Sequence, residues 1–264
     1  MKNLKKSLLK EAVFFNEKTI QQSTQDLLLE KCLDKALPEN ELWALQARNQ
    51  ENGRGQRGRK WQAAEGNLFL SLALRQEFFT NLNLPFLTLL AGKTLYDLLE
   101  QEINLPAGKK WLQKWPNDLL VLDLENQSFK KVAGIISEVK KSIVVLGLGL
   151  NVVHGPSGLD QATSSLLDED QNSPDADSIA KNFNKAYIAQ LNLWKQGAAV
   201  FEKQKTAEIM KTSMAELWGR KVMSLPSKKT FQLAGLGDGG TLLGQEAAGK
   251  DCFEVRESYI FIDT

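Results

Sequence analysis

The alternation of apolar and polar positions divides this chain into recognisable elements. Residues 23–37, STQDLLLEKCLDKAL, repeat with helical spacing, with Ser23 or Thr24 as cap and Leu27, Leu28, Cys32, Leu33 and Ala36 as the apolar face. ELWALQAR (41–48) reads as a strand. NLFLSLALR (67–75) alternates cleanly, so that Leu68, Leu70, Leu72 and Leu74 share one side. The intervening 49–66 is too long for a tight hairpin, and loops of that length are often functional. Residues 84–102 predict a long amphipathic helix with Leu87, Leu90, Ala91, Thr94, Leu95 and Leu98 in its stripe. Strand-like runs follow: KKWLQKW and DLLVLDL about a Pro-Asn turn, KVAGIISEV after the polar connection ENQSFKK, and SIVVLGLGLNV.

Residues 154–177 are rich in Gly, Ser, Asp and Pro and predict a loop or lid. Helical periodicity returns over 178–201 through Ile179, Phe183, Tyr187, Leu191 and Trp194, and a second helical stretch runs to about Leu217. The remainder changes character: short strands with turns at PSKK, GDGG and AAGKD predict a small β-barrel. The expected division is a domain over 1–214 and a second over 215–264.

Composition narrows the chemistry. In 264 residues there are 33 basic and 32 acidic side chains, for a formal charge of +1, so a general nucleic-acid binder is disfavoured and any anion site must be local. The basic start MKNLKKSLLKEAVFF is interrupted by Glu11 and lacks a small-residue cleavage site, which argues against a signal peptide. No apolar run approaches the roughly 20 residues that span a bilayer. Two distant cysteines, Cys32 and Cys252, fit a reduced, cytoplasmic compartment, and with His154 as the one histidine they make no conventional zinc site. The chemistry therefore falls to Arg, Lys and Asp.

The most unusual stretch is NGRGQRGRKW (52–61), in which Gly53, Gly55 and Gly58 alternate with Arg54, Arg57 and Arg59, and Trp61 follows. Glycines let amides approach an anion, and guanidinium forks pair with carboxylate or phosphate. Such a loop repels itself when empty and is expected to order around an anion. A solvated basic loop and an RNA-binding Gly/Arg segment are the competing readings of this stretch alone.

WPND (115–118), KVAG (131–134) and GLGLN (147–151) follow in order. Together with the loop, they resemble the biotin–protein ligase family over about residues 20–264. The resemblance implies an α+β fold, a mixed, largely antiparallel sheet flanked by helices, with a C-terminal SH3-like barrel. It implies ATP, biotin and Mg²⁺ as reactants and cofactor, formation of biotinyl-5′-AMP, and transfer of biotin to a lysine of a biotin carboxyl carrier protein, the biotinyl domain of a carboxylase. It implies neither a membrane nor a specific nucleic acid, and leaves a homodimer open. Some family members carry an N-terminal repressor domain; residues 1–22 before the Ser-Thr pair are too few for one, so a ligase without repressor function is expected.

The resemblance also implies roles. Ser23 and Thr24 match residues at the ureido ring, and Gln50 and Gly53 line the biotin pocket. Arg54 is expected at the biotin carboxylate and α-phosphate, Arg57 and Arg59 at phosphates, and Trp61 against adenine. Asn117 belongs to the adenylate site. Asp118 sits at the reacting centre as proton acceptor or orienting group and as the expected Mg²⁺ contact. Lys131 matches the lysine reaching carboxylate and phosphate; the spacing to Ala133 and Gly134 favours it over Lys130. Lys114 is a second positive group. Gly134, Gly147, Gly149 and Leu150 surround biotin, and Asn151 faces adenosine. Gln56 departs from the pattern GRGRRGR, removing one positive contact. A lipoate or octanoate ligase, a nucleic-acid module and an inactive biotin-binding relative are the rival functions.

Overall fold

The computed structural model describes residues 8–79, 83–158, 161–196, 210–225, 227–237, 240–246, 249, 251–256 and 258–262. In chain order the strands are β1 (Ala12–Ile20), β2 (Leu42–Gln50), β3 (Gly53–Arg54), β4 (Lys60–Trp61), β5 (Leu68–Arg75), β6 (Lys109–Lys114), β7 (Asp118–Asp123), β8 (Ser128–Lys140), β9 (Ile143–Leu150), β10 (Lys221–Leu225), β11 (Thr230–Leu236), β12 (Leu242–Gln245), β13 (Cys252–Val255) and β14 (Ser258–Phe261). The helices are α1 (Thr24–Asp34), α2 (Leu84–Glu102), α3 (Leu166–Glu169) and α4 (Ala176–Lys195).

Seven strands form the main sheet in the order β1-β2-β5-β9-β8-β7-β6. Only β1 and β2 run parallel, so the sheet is mixed and largely antiparallel, as the sequence predicts. The sequence reading did not identify β1. Its charged residues interrupt the apolar positions, as suits an edge strand with partners on one side. Strand alternation sorts the two faces. Leu68, Leu70, Leu72 and Leu74 of β5 join Val144, Leu146, Leu148 and Leu150 of β9 under α2 and α4. The other face packs Trp43, Leu45, Ala73, Ile143 and Val145 against Leu28 and Cys32 of α1.

The buried stripe of α1 is Thr24, Gln25, Leu28 and Cys32, whereas Leu33, expected inside, is 39% exposed. The true period is set by the sheet beneath and admits two polar residues. The end of the helix expected over 178–201 and the start of the helical stretch after it, residues 197–209, lie outside the described residues; α4 is described to Lys195, and a 3₁₀ turn covers Ala215–Leu217. The predicted lid at 154–177 contains the short helix α3, closed by a capping box between Ser165 and Asp168. Among the described residues no helix is long and apolar enough to cross a membrane.

The C-terminal strands form an open antiparallel sheet in the order β13-β12-β11-β10-β14. It shares an apolar core with the main sheet: Val222, Phe231, Leu233, Leu242 and Tyr259 cluster with Leu112, Leu120 and Leu122, and Leu89 of α2 joins them. Leu89 is fully buried. Leu89→Ala is expected to lower unfolding free energy by about 2–5 kcal/mol, measured by urea denaturation. Near-UV signals from both sheets should be lost together, because the residue belongs to the core they share.

Candidate functional site

The site begins where α1 stops covering the sheet. On β9 the face toward α1 reads Ile143, Val145, Gly147 and Gly149; the first two lie under α1 and the last two are bare backbone. Gly149 pairs with Gly134 of β8, and Gly147 pairs with Ser71 of β5. The result is a floor without Cβ atoms. Two side chains lie on it. A Cβ added at Gly149 would stand 2.5 Å from Trp61 Cε2, one at Gly134 2.7 Å from Trp61 Cζ3, and one at Gly147 2.7 Å from Gln25 Cδ. Only glycine permits these approaches.

A register shift in the β7–β8 ladder, where Leu119 faces Ala133 and Leu120 faces Lys131, turns Lys131 toward this floor. Val132 and Ala133 both face the opposite core, so Lys131 and Gly134 share the site face. Lys131 Nζ lies 2.7 Å from Asp118 Oδ1 and 5.3 Å from the centre of the Trp61 ring. Asp118 opens β7 and pairs with Gly134 on one side and Lys114 on the other. The WPND turn is held by Ile135 N donating to Asn117 O at 2.8 Å and by Trp115 Nε1 donating to Gly240 O at 2.9 Å. Lys114 Nζ sits 5.1 Å from the Tyr259 ring and 5.6 Å from that of Phe261. Burial, with Lys131 and Arg59 adding like charge, holds its pKa below the ordinary lysine value despite Asp118.

The Gly/Arg loop folds as a small hairpin, with Gly53 opposite Trp61 and Arg54 opposite Lys60. Gly53 is required because a Cβ there would fall 2.6 Å from Trp61 O and 2.7 Å from Gln50 Nε2. The expected self-repulsion is relieved at Arg54. Its guanidinium meets Asp26 Oδ1 at 3.0 Å and Glu138 Oε1 at 2.5 Å, and its Nε donates to Ser23 Oγ at 3.2 Å. Lys140 adds a second cation, 3.2 Å from Glu138. Burial opposes the Arg54 charge, but Glu138 and Asp26 outweigh it and hold its pKa above the ordinary value. Glu138 is likewise desolvated, yet the hydrogen bonds and charge of Arg54 and Lys140 keep its pKa below the usual carboxylate range. Asp26, Glu138 and Lys140 were not anticipated from the sequence, although Glu138 has the same strand parity as Gly134.

Ser23 caps α1, accepting from Asp26 N at 3.2 Å. Thr24 N donates to Gln50 Oε1 at 3.1 Å, and Thr24 Oγ1 accepts from Ser71 Oγ at 2.8 Å. Asn151 is buried, with Nδ2 donating to Ser164 O at 3.0 Å and Oδ1 without a hydrogen-bond partner. Asn67, also missed, pins the turn after GLGLN: its Oδ1 accepts from the amides of Val152, Val153 and His154 at 3.0, 2.9 and 3.1 Å. These contacts gather Ser23, Thr24, Gln50, Gly53, Arg54, Trp61, Asp118, Lys131, Gly134, Gly147, Gly149 and Asn151 along one side of the sheet. Two residues stand apart, Arg57 and Leu150. Arg57 and Arg59 are both exposed and make no ion pair among the described residues, but Arg59 lies near Lys114 and lines the recess beside α1, whereas Arg57 has φ 56°. Leu150 points into the core on the far side of the sheet, so only its backbone belongs here.

Between α1 and the loop lies an open recess of ≈ 520 Å³, lined by Ser23, Asp26, Asn52, Arg54, Arg59 and Lys60 among others. The glycine floor does not contribute to it, because Trp61 and Gln25 fill the space above.

The Glu138 interaction has a pH signature. A pKa below that of the unfolded chain means the stabilisation is full above the ordinary glutamate value of about 4.3 and is lost as pH falls through the lower folded value. Glu138→Gln should therefore cost about 1 kcal/mol or less near neutrality, given the partial exposure. The difference from wild type should vanish in acid, measured by thermal melts across that range.

A model of the biotin/lipoate A/B protein ligase family matches residues 18–151. The biotin–[acetyl-CoA-carboxylase] ligase of Mycobacterium tuberculosis is 36% identical over 150 residues, 56% of this chain and 54% of that one. The bifunctional ligase/repressor BirA of Bacillus subtilis is 34% identical over 117 residues, 42% of this chain and 33% of that one. The chain thus spans about half the length, or less, of these curated relatives. Among solved structures, the biotin protein ligase of Aquifex aeolicus in complex with biotin and ATP superposes with a TM-score of 0.73 at 25% identity, covering 96% of this chain and 99% of that one. The matched segment contains the Ser-Thr cap, the Gly/Arg hairpin, the WPND turn and the glycine floor, and the chain belongs to the biotin/lipoate A/B protein ligase family.

Proposed function

We propose that this chain is an ATP-dependent biotin–protein ligase. The observation that carries the reading is the Cβ-free floor of Gly134, Gly147 and Gly149, bordered by Lys131 and Arg54, in a fold similar to a ligase that binds biotin and ATP. A bare backbone floor suits a flat bicyclic ring. Thr24, Ser23 and Gln50 supply hydroxyl and amide groups at one end of it, as polar ring atoms require. Lys131 and Lys114 supply positive charge at the other, where a carboxylate has to meet a triphosphate, and Arg54, beside Ser23, would turn from Asp26 and Glu138 to add to it.

In the first step a carboxylate oxygen of biotin attacks the α-phosphorus of ATP, the bond to the β-phosphate oxygen breaks, and pyrophosphate leaves. Two like charges ~4 Å apart repel by about 4 kcal/mol at an effective dielectric near 20. Arg54 and Lys131 offset that repulsion and stabilise the charge that builds on the phosphoryl oxygens. Both cations lie against carboxylates here, Arg54 on Asp26 and Glu138 and Lys131 on Asp118, so phosphate binding exchanges one anion for another. The biotin ring would take the space above the floor that Trp61 fills here, and Trp61 would fold over it and shield the acyl group from water. Arg59, near Lys114, would add to the positive charge, and Arg57, exposed at the tip, would reach phosphates by loop closure.

In the second step a lysine of a carboxylase biotinyl domain attacks the acyl carbon, its amine passes a proton to Asp118, and AMP leaves. Asn151, whose Oδ1 has no partner among the described residues, is proposed to accept from the adenine amine, and Asn117 is proposed to belong to the same adenylate site. Among the described residues no group of three His, Cys, Asp or Glu side chains could hold a metal ion. The donor set fits Mg²⁺ carried by the triphosphate, with Asp118 as the one protein carboxylate. When bound, it would neutralise phosphate charge. Residues 215–264 are proposed to form the smaller domain, an SH3-like barrel attached to the catalytic domain of residues 1–214.

The test is pyrophosphate release from ATP with biotin, with lipoate, or with neither. Biotin-dependent release is expected, falling about 10²-fold or more in Lys131→Ala and in Arg54→Ala. Release with lipoate alone would transfer the proposal to the lipoate branch, and release with neither acid would end it.

A further inference from the structure

Gln25 occupies an inward position of α1, in the stripe it shares with Leu28 and Cys32. An apolar residue is expected there. Its side chain is instead an amide at 3% exposure, and Nε2 has no hydrogen-bond partner among the described residues. Buried amides are normally paired, and an unpaired one in a native core calls for a reason. Other buried polar atoms lack partners elsewhere in the protein, Trp111 Nε1 and Asn184 Oδ1 among them, so the orphan by itself decides nothing. Position does. The Gln25 side chain lies on Gly147, so close that a Cβ there would stand 2.7 Å from Cδ and 2.9 Å from Oε1. Gly147 pairs with Ser71, and Ser71 Oγ donates to Thr24 Oγ1. The side chain that carries the unpaired donor thus sits at the ring end of the floor, next to Thr24.

We infer that Gln25 is a specificity-determining residue, whose amide N–H donates to the carbonyl oxygen of the cyclic urea of the acid substrate. This rests on the ligase reading above and deepens it. A cyclic urea presents two N–H donors and one carbonyl acceptor. Thr24 Oγ1 and Gln50 are suited to take up the donors, and Gln25 Nε2 is a donor with nothing else to bond. A site that buries a donor for one substrate atom rejects analogues lacking that acceptor, because the donor is then left unpaired.

The experiment compares biotin with its cyclic guanidine analogue, in which the carbonyl oxygen is replaced by an imine nitrogen that is protonated near neutral pH. Pyrophosphate release is followed for wild type, Gln25→Met and Gln25→Glu. Gln25→Met keeps the volume and removes the donor. It should raise KM for biotin roughly tenfold, with KM for ATP unchanged, and narrow the preference for biotin over the analogue by a similar factor. Gln25→Glu places a carboxylate against the analogue's guanidinium and should shift the preference toward the analogue beyond the Met variant. A ratio within about twofold of wild type in both variants, whatever their melting temperatures, overturns the assignment and leaves Gln25 a packing residue. Wild-type protein that releases no pyrophosphate with biotin overturns the ligase reading itself, and this inference falls with it.

Discussion

The site depends on one steric fact: the sheet face next to α1 has no side chains where Gly134, Gly147 and Gly149 lie. Helix α1 covers Ile143 and Val145 on the same strand face, lays Gln25 on Gly147, and leaves Gly149 and Gly134 to Trp61. Without Cβ atoms, flat groups can lie directly on the backbone, as Trp61 does at Gly149 and Gly134. The Gly/Arg hairpin is positioned by this contact, since Trp61 closes the hairpin and Gly53 opposite it leaves room for its carbonyl. Lys131 belongs to the same arrangement because the irregularity at Val132 places it beside Gly134 and not in the core. Any side chain larger than hydrogen on this floor would lift the indole, and the loop with it.

Electrostatics give the second constraint. A chain with nearly equal numbers of acids and bases concentrates cations at one site and pairs two of them with its own carboxylates. Arg54 has two carboxylates and Lys131 has one. Lys114 differs: its companions are aromatic faces and its neighbours include other cations, so burial drives its pKa down. A polyanion taken up here would detach two cations from acids and meet a third with more to gain from a new anion. The carboxylates would then set a cost on binding, as exchange between protein and ligand counterions requires.

Much of this was legible in the sequence, for identifiable reasons. The helix over 84–102 and the strands read over 67–75 and 142–152 follow periodicities set by a two-faced sheet, and their bounds fall within two residues of the structural ones. The motifs Gly/Arg loop, WPND, KVAG and GLGLN come together in space. Four features were not legible. The edge strand β1 has a pattern blurred by charge. The stripe of α1 is polar at Thr24 and Gln25 because it faces a site. Leu150 lies on the far face because a strand reverses direction at each residue, which a motif read as a block conceals. The carboxylates Asp26 and Glu138 are separated by more than a hundred residues, and only the β8–β9 pairing under α1 places both beside Arg54.

The C-terminal sheet bears on the chemistry through packing. Tyr259 and Phe261 of β14 form the shelf beneath Lys114, and Gly240 accepts from the indole of Trp115. Both contacts fall on the residues just before Asn117 and Asp118. Asp118 in turn lies within range of Tyr259, whose buried hydroxyl is driven to a higher pKa, first by desolvation and then by that carboxylate. Leu112, Leu120 and Leu122 of the main sheet sit in the core that the C-terminal strands complete. The two strands that carry the WPND turn are therefore fixed on one side by the main sheet and on the other by residues from the end of the chain. The position of Asp118 relative to Lys131 then depends on both, and the C-terminal sheet is as much a wall of the site as the glycine floor.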